Sequence, residues 1–116
     1  MFVPTHNKRV FVEKVDMVSG VGYDPSRWKD GMNQSFMGLR LVITNLAVLD
    51  FKGEGNCLRV KSLHPGVTLD EVHENTGFKL FVAPELEETK APSEEQLVLI
   101  REVIDPNNIR KSIFND

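Results

Sequence analysis

Residues 39–82 read LRLVITNLAVLDFKGEGNCLRVKSLHPGVTLDEVHENTGFKLFV, and this stretch decides the fold. Two apolar runs, 46–51 and 57–63, flank Lys52-Gly53-Glu54-Gly55-Asn56. Glycine and asparagine tolerate positive φ, so the loop suits a chain reversal. Strand-like runs on either side of it predict an antiparallel hairpin. Leu46, Val48, Phe51, Leu58 and Val60 are its expected inward set. A turn at His64-Pro65-Gly66 follows, then a short helix opened by Thr68-Leu69-Asp70-Glu71, the spacing of a capping box. Gly77 stands where a left-handed glycine would end that helix, and a strand is expected over 78–82.

Outward from this centre, 38–44 reads as a further strand and 1–8 as a lead-in coil. The segment RVFVEKVDMV predicts a strand over 9–13 and a second extended piece to Val18. Beyond the centre, 84–91 is rich in Glu and Pro and reads as a solvated linker. Ser93-Glu94-Glu95-Gln96 is a second capping box. Leu97, Ile100, Val103 and Ile104 form the stripe of the helix it opens, and Asp105-Pro106 stops it. The tail carries Ile109, Ile113 and Phe114, which dock either on the chain's own core or on a partner.

Residues 19–37, SGVGYDPSRWKDGMNQSFM, are the least regular part, with Asp24-Pro25 suited to start a helical turn through Trp28. One reading is a loop bordering a ligand cleft. Ser19, Gly20 and Gly22 would then supply backbone N–H groups and Tyr23 a hydroxyl. The blander and favoured reading is a surface excursion with Trp28 packed back on the body. So long an irregular segment keeps the first reading open.

Composition narrows the function. With 116 residues, 41% hydrophobic and 27% charged, the chain is sized and composed for one globular domain, 1–116. A net charge of −3 gives no basic footprint for nucleic acid. No apolar run reaches about 18 residues, so no membrane span is expected. A lone cysteine, Cys57, cannot form an internal disulfide, and the cytoplasm is the default location. Cys57 itself reads as a small buried strand residue rather than a nucleophile. His6, His64 and His73 lack ligand spacing with each other or with Cys57, so no metal site is expected. His64 reads as structural or exposed, and Asp70 and Glu71 as partners of the helix dipole rather than a catalytic pair.

Residues 42–86, VITNLAVLDFKGEGNCLRVKSLHPGVTLDEVHENTGFKLFVAPEL, resemble the C-terminal part of the β (B) subunit of family I coenzyme A transferases, of the glutaconate CoA-transferase type. The resemblance extends upstream to Arg9-Val10-Phe11-Val12-Glu13-Lys14-Val15-Asp16 and downstream through Pro92-Ser93-Glu94-Glu95 to Ile104-Asp105-Pro106. It implies the C-terminal half of that family's α/β fold: a mainly parallel sheet with flanking helices plus an antiparallel hairpin. It also implies transfer of coenzyme A, as substrate, between an acyl-CoA and a carboxylic acid. A glutamate carboxylate of the family attacks the acyl-CoA, passing through a mixed anhydride and a glutamyl-CoA thioester. Backbone N–H groups of a Gly-rich segment hold the oxyanion.

In the family's β subunits the glutamate and the Gly-rich segment lie in the N-terminal half, so no catalytic residue is carried onto this chain, which alone is expected to be inactive. In the glutaconate type a Ser-Pro-Gly commonly follows the strand before the cleft loop; Val21 takes the proline's place here. The implied partners are an α subunit or the missing N-terminal half, with a homo-oligomer covering apolar faces otherwise left open. Two alternatives stay beside this: a non-catalytic assembly or binding module, and part of a hydrolase of ring-bearing CoA esters in the same superfamily.

Overall fold

The structure is a computed structural model that describes residues 1–33 and 37–113. Its frame is a five-stranded sheet in chain order: β1 (Phe2–Val3), β2 (Leu41–Thr44), β3 (Ala47–Asp50), β4 (Arg59–Leu63) and β5 (Phe81–Glu88). The expected hairpin is β3–β4. β2–β3 is also antiparallel, while the outer pairs β1–β2 and β4–β5 are parallel. Parallel neighbours need a crossover. Between β4 and β5 it is α1 (Leu69–Glu74). Between β1 and β2 it is the long irregular segment.

The hairpin loop folds as its residues require. Gly55 and Asn56 take left-handed φ of 66° and 61°. Gly53 serves differently: a Cβ there would lie 2.7 Å from the Cys57 carbonyl and 2.8 Å from the Phe81 ring. Cys57 follows the loop, exposed and before the strand begins, so it is not the buried strand residue expected.

The inward face of β3 is one residue out of phase with expectation. Ala47 and Leu49 are fully buried and Val48 is half-buried. Thr44 Oγ1 accepts from the N–H of Leu46 and of Ala47 at 3.1 and 3.0 Å, and this tight turn resets the alternation. Leu46 and Val60 are buried as expected, and Phe51 and Leu58 pack half-buried against the core. Val42, Val72, Leu80 and Phe11 complete that core.

Both caps form. Thr68 Oγ1 accepts from the Glu71 N–H at 3.2 Å. Ser93 and Gln96 close a reciprocal box at the start of α2 (Glu94–Val98), which continues as a π-helical segment, Leu99–Ile104. The stop at Asp105 is firm: its carboxylate accepts from the N–H groups of Ile109 and Arg110 at 2.7 and 3.1 Å.

Gly77 does not end α1 in the left-handed region. Asn75 and Thr76 side chains instead donate to the carbonyls of Glu71 and Val72 at 2.9 and 2.7 Å, covering the helix end. Gly77 is needed for close approach: its N–H donates to the Phe11 carbonyl at 2.7 Å, and a Cβ would stand 2.5 Å from that oxygen.

Three further segments depart from expectation. Residues 1–8 are no lead-in coil, because β1 pairs with β2 and His6 is buried. Residues 9–18 form no strand: Asn7 Oδ1 accepts from the N–H of Arg9 and Val10 at 3.0 and 3.1 Å, turning the chain away, and only Phe11 is buried. Residues 84–88, read as linker, belong to edge strand β5. Pro84 and the glutamates are tolerated because two steps along β4 are matched by five along β5, a bulge that needs no N–H from proline.

Candidate functional site

A cleft of about 410 Å³ opens beside the hairpin, lined by Tyr23, Leu39, Arg40, Leu41, Asp50, Phe51, Lys52, Asn56 and Lys61. That volume falls within the range of small-molecule sites. Strand β4 supplies Lys61, the hairpin loop Lys52 and Asn56, and the lead into β2 supplies Leu39 and Arg40.

Tyr23 roofs the cleft. Its hydroxyl donates to the Leu39 carbonyl at 2.5 Å, and its ring is tilted against Phe51 with centroids 5.3 Å apart. The loop that carries it has its own supports. Asp24 caps the turn Pro25–Arg27 as expected, with Oδ1 accepting from the Ser26 N–H at 3.0 Å. Trp28 is half-buried, and its Nε1 donates to the Gly22 carbonyl at 3.1 Å. Of the four loop residues singled out from sequence, Tyr23 alone lines this cleft. Gly22 shapes the turn before it, at φ 60°, while Ser19 and Gly20 are exposed outside the lining.

Asp50 is the buried charge of the site, 4% exposed. Arg59 Nε and Nη2 donate to its two oxygens at 3.0 and 2.7 Å, a bidentate pair across the hairpin. Burial pushes this carboxyl up. Hydrogen bonds from Arg59 and the Lys52 N–H, with the charges of Arg59 and Lys52, outweigh that and hold it below the usual carboxylate range. Arg40, Lys52 and Lys61 make no salt bridge among the described residues.

Sequence reasoning missed Arg40, Asp50, Phe51, Lys52 and Lys61 as a set. One signal was available: Arg59 and Lys61 alternate on β4 and so share a face. The pairing of Asp50 with Arg59 emerges only once the hairpin register is known.

A second polar cluster lies in the core. His6 Nε2 and Nδ1 lie 2.9 and 3.1 Å from the hydroxyls of Thr76 and Thr44, and its ring stacks on Phe11 at 4.0 Å. Burial pulls its pKa down. His64 is half-buried with Nε2 2.9 Å from the Thr44 carbonyl, a structural histidine. His6 and Thr76 tie the segments that follow β1 and α1 to Thr44 of β2, and none of these groups lines the cleft beside the hairpin. Among the described residues no three His, Cys, Asp or Glu side chains gather as a metal would need, and no helix is long and apolar enough to cross a membrane.

No family model matches the chain. Individual proteins do. It is 45% identical over 111 residues to the "Cholesterol ring-cleaving hydrolase IpdB subunit" of Rhodococcus jostii, covering 94% of this chain and 43% of that protein. The crystal structure of Rhodococcus jostii IpdAB superposes with a TM-score of 0.83 at 42% identity, over 99% of this chain and 46% of that one. The β subunit of glutaconate CoA-transferase from Acidaminococcus fermentans is 33% identical over 108 residues, covering 87% of this chain and 38% of that protein. The glutaconate coenzyme A-transferase structure from the same organism superposes with a TM-score of 0.71 at 27% identity, over 99% of this chain and 43% of that one. The chain thus spans about two-fifths of the length of these relatives. In sequence and in its α/β fold alike, it belongs to the β subunits of the family I coenzyme A transferases.

Proposed function

We propose that this chain is the C-terminal part of the β subunit of an enzyme that moves coenzyme A between an acyl-CoA and a carboxylic acid. The observation that carries this reading is the match to the glutaconate CoA-transferase β subunit in both sequence and fold. Coenzyme A is then a substrate, not a resident cofactor. The chain forms one domain that needs an α subunit and the rest of the β subunit to work, and it self-associates when they are absent. Between Ser93 and Ile113 no described residue is buried, which supports a surface built to be covered. The enzyme is cytoplasmic, as suits a chain whose single cysteine is unpaired. The loop 19–23 borders the ligand cleft through Tyr23. None of the chain's own glutamates acts as the nucleophile, so the 116 residues alone turn nothing over.

A second reading rests on a specific observation: the ring-cleaving hydrolase subunit shares 45% of positions, against 33% for the transferase subunit. In that case water, rather than a carboxylic acid, is the second reactant, and a ring-bearing CoA ester is the substrate. The assembled enzyme distinguishes the two. Incubation of an acyl-CoA with a labelled carboxylic acid yields a new labelled acyl-CoA under the first reading. A ring-opened product without label in the thioester would replace that reading by the second. The isolated chain serves as the blank; turnover by it that is lost on substituting one of its own glutamates would overturn the inactivity expected here.

A further inference from the structure

The cleft beneath Tyr23 concentrates positive charge on an acidic protein. Arg40, Lys52 and Lys61 contribute three positive charges, and Asp50 is neutralised by Arg59, so the site carries three net charges of sign opposite to the whole chain's −3. Uncompensated cations gathered in one hollow repel each other unless an anion enters, and the field in such a hollow draws one in. Phe51 stands in the same lining, half-buried and held by the Tyr23 ring, so it is a fixed aromatic wall rather than a mobile one. Asn56, held at positive φ, adds an amide side chain to the rim. Several cations beside a fixed aromatic ring match a ligand with clustered phosphates at one end and a planar heterocycle at the other. An inorganic ion would leave the aromatic wall unused, and an aliphatic carboxylate would leave most of the charge unanswered.

We propose that this cleft binds the phosphorylated end of a nucleotide, with Arg40, Lys52 and Lys61 on its phosphates and the Phe51 ring against its base. The inference deepens the reading above and rests on it for the source of the ligand, since coenzyme A carries an adenine nucleotide; free ADP shares the same chemistry. Lysine acts here as a point charge that tolerates several phosphate orientations, which suits an open cleft better than a rigid fork. Asp50 is a positioning residue: its pair with Arg59 ties β3 to β4, and so fixes the loop that carries Lys52 and the strand that carries Lys61.

Calorimetric titration of the 116-residue chain with ADP, coenzyme A, pyrophosphate and adenosine tests the site. ADP is expected to saturate one site, with pyrophosphate and adenosine each weaker by about tenfold or more, and added salt should weaken ADP binding. Lys52→Gln and Lys61→Gln, both at exposed side chains, should each weaken ADP several-fold while leaving the circular dichroism spectrum unchanged. Absence of saturable ADP binding overturns the proposal. So does equal binding of ADP by the double variant, which moves the ligand elsewhere, or pyrophosphate binding as tight as ADP, which removes the base from the site. The coenzyme A arm separates the sources. Binding of ADP but not of coenzyme A keeps the nucleotide site and counts against the coenzyme A reading. Turnover of a CoA ester by the assembled enzyme, with no nucleotide bound in this cleft, keeps that reading and overturns this inference.

Discussion

His6 is the residue on which the amino-terminal end turns, because one buried ring ties the segments that follow β1 and α1 to β2 through two threonine hydroxyls. Its lowered pKa makes the fold sensitive to acid in a defined direction. The folded state favours the neutral ring, so the contribution is complete above the unfolded value near 6.5 and declines as pH falls below it. Urea midpoints taken from neutral pH downward should drop through that window in the parent chain, while His6→Gln should lack that part of the slope. Asp50 acts lower on the scale. Its carboxyl is held ionised, so its contribution is present above the unfolded carboxylate pKa of about 4 and is lost as pH falls through the depressed folded value. Asp50→Ala should cost about 2–3 kcal/mol by denaturation, less than for a fully buried pair because Arg59 keeps 20% of its side chain in solvent. Neither residue stood out in the sequence. A histidine in a polar stretch and an aspartate at a strand end look ordinary until the sheet brings their partners from 70 and 9 positions away.

Elements were more legible than residues, and the reason is physical. Caps and turn loops are local: Thr68 with Glu71, Ser93 with Gln96 and the Gly53–Asn56 loop carry their own hydrogen-bonding instructions within a few positions. Thr68→Ala and Ser93→Ala should each cost about 1 kcal/mol. Chemical denaturation reads this directly, and no loss would mean the helices start elsewhere. What failed was non-local. Residues 9–13 looked like a strand, yet strand formation needs a neighbour, and the Asn7 turn takes them away from one. Residues 84–88 looked like a linker, yet β4 offers them a free edge. Gly77 follows α1 as its spacing suggests, but its need is space against Phe11 and not left-handed φ. Gly77→Ala should therefore destabilise by about 2–3 kcal/mol, as overpacking and a displaced hydrogen bond do; a loss under about 0.5 kcal/mol, the size of an ordinary surface change, would show that the backbone there yields easily.

At the scale of the whole molecule the chain is short of cover. Among the described residues, sixteen large hydrophobics are exposed, while the buried core holds seven large hydrophobics and Ala47. The radius of gyration is 16.6 Å, where a compact chain of this length has about 13 Å. The exposed set includes Val98, Leu99, Val103 and Ile104 on the last helix, and Ile109 and Ile113 beyond it. Those last two therefore do not dock on the chain's own core; Phe114, expected to dock with them, lies outside the described residues. Val15 and Met17 add a second open patch on the irregular segment. The apolar stripe of the helix was plain in the sequence, but periodicity tells which side is apolar and not what covers it. Covering a side chain of this kind is worth roughly 1.5–3 kcal/mol, so a handful suffices to drive association, most simply as a two-fold dimer.

Sedimentation velocity on the purified chain at micromolar concentration tests this most directly. If the chain is a part made to be covered by the rest of a β subunit and its α partner, it should sediment as a dimer or larger species, well above its own 13.1 kDa. Adding the missing partners should then dissolve the self-association. A stable monomer of 13.1 kDa, holding across the concentration range, would contradict that account.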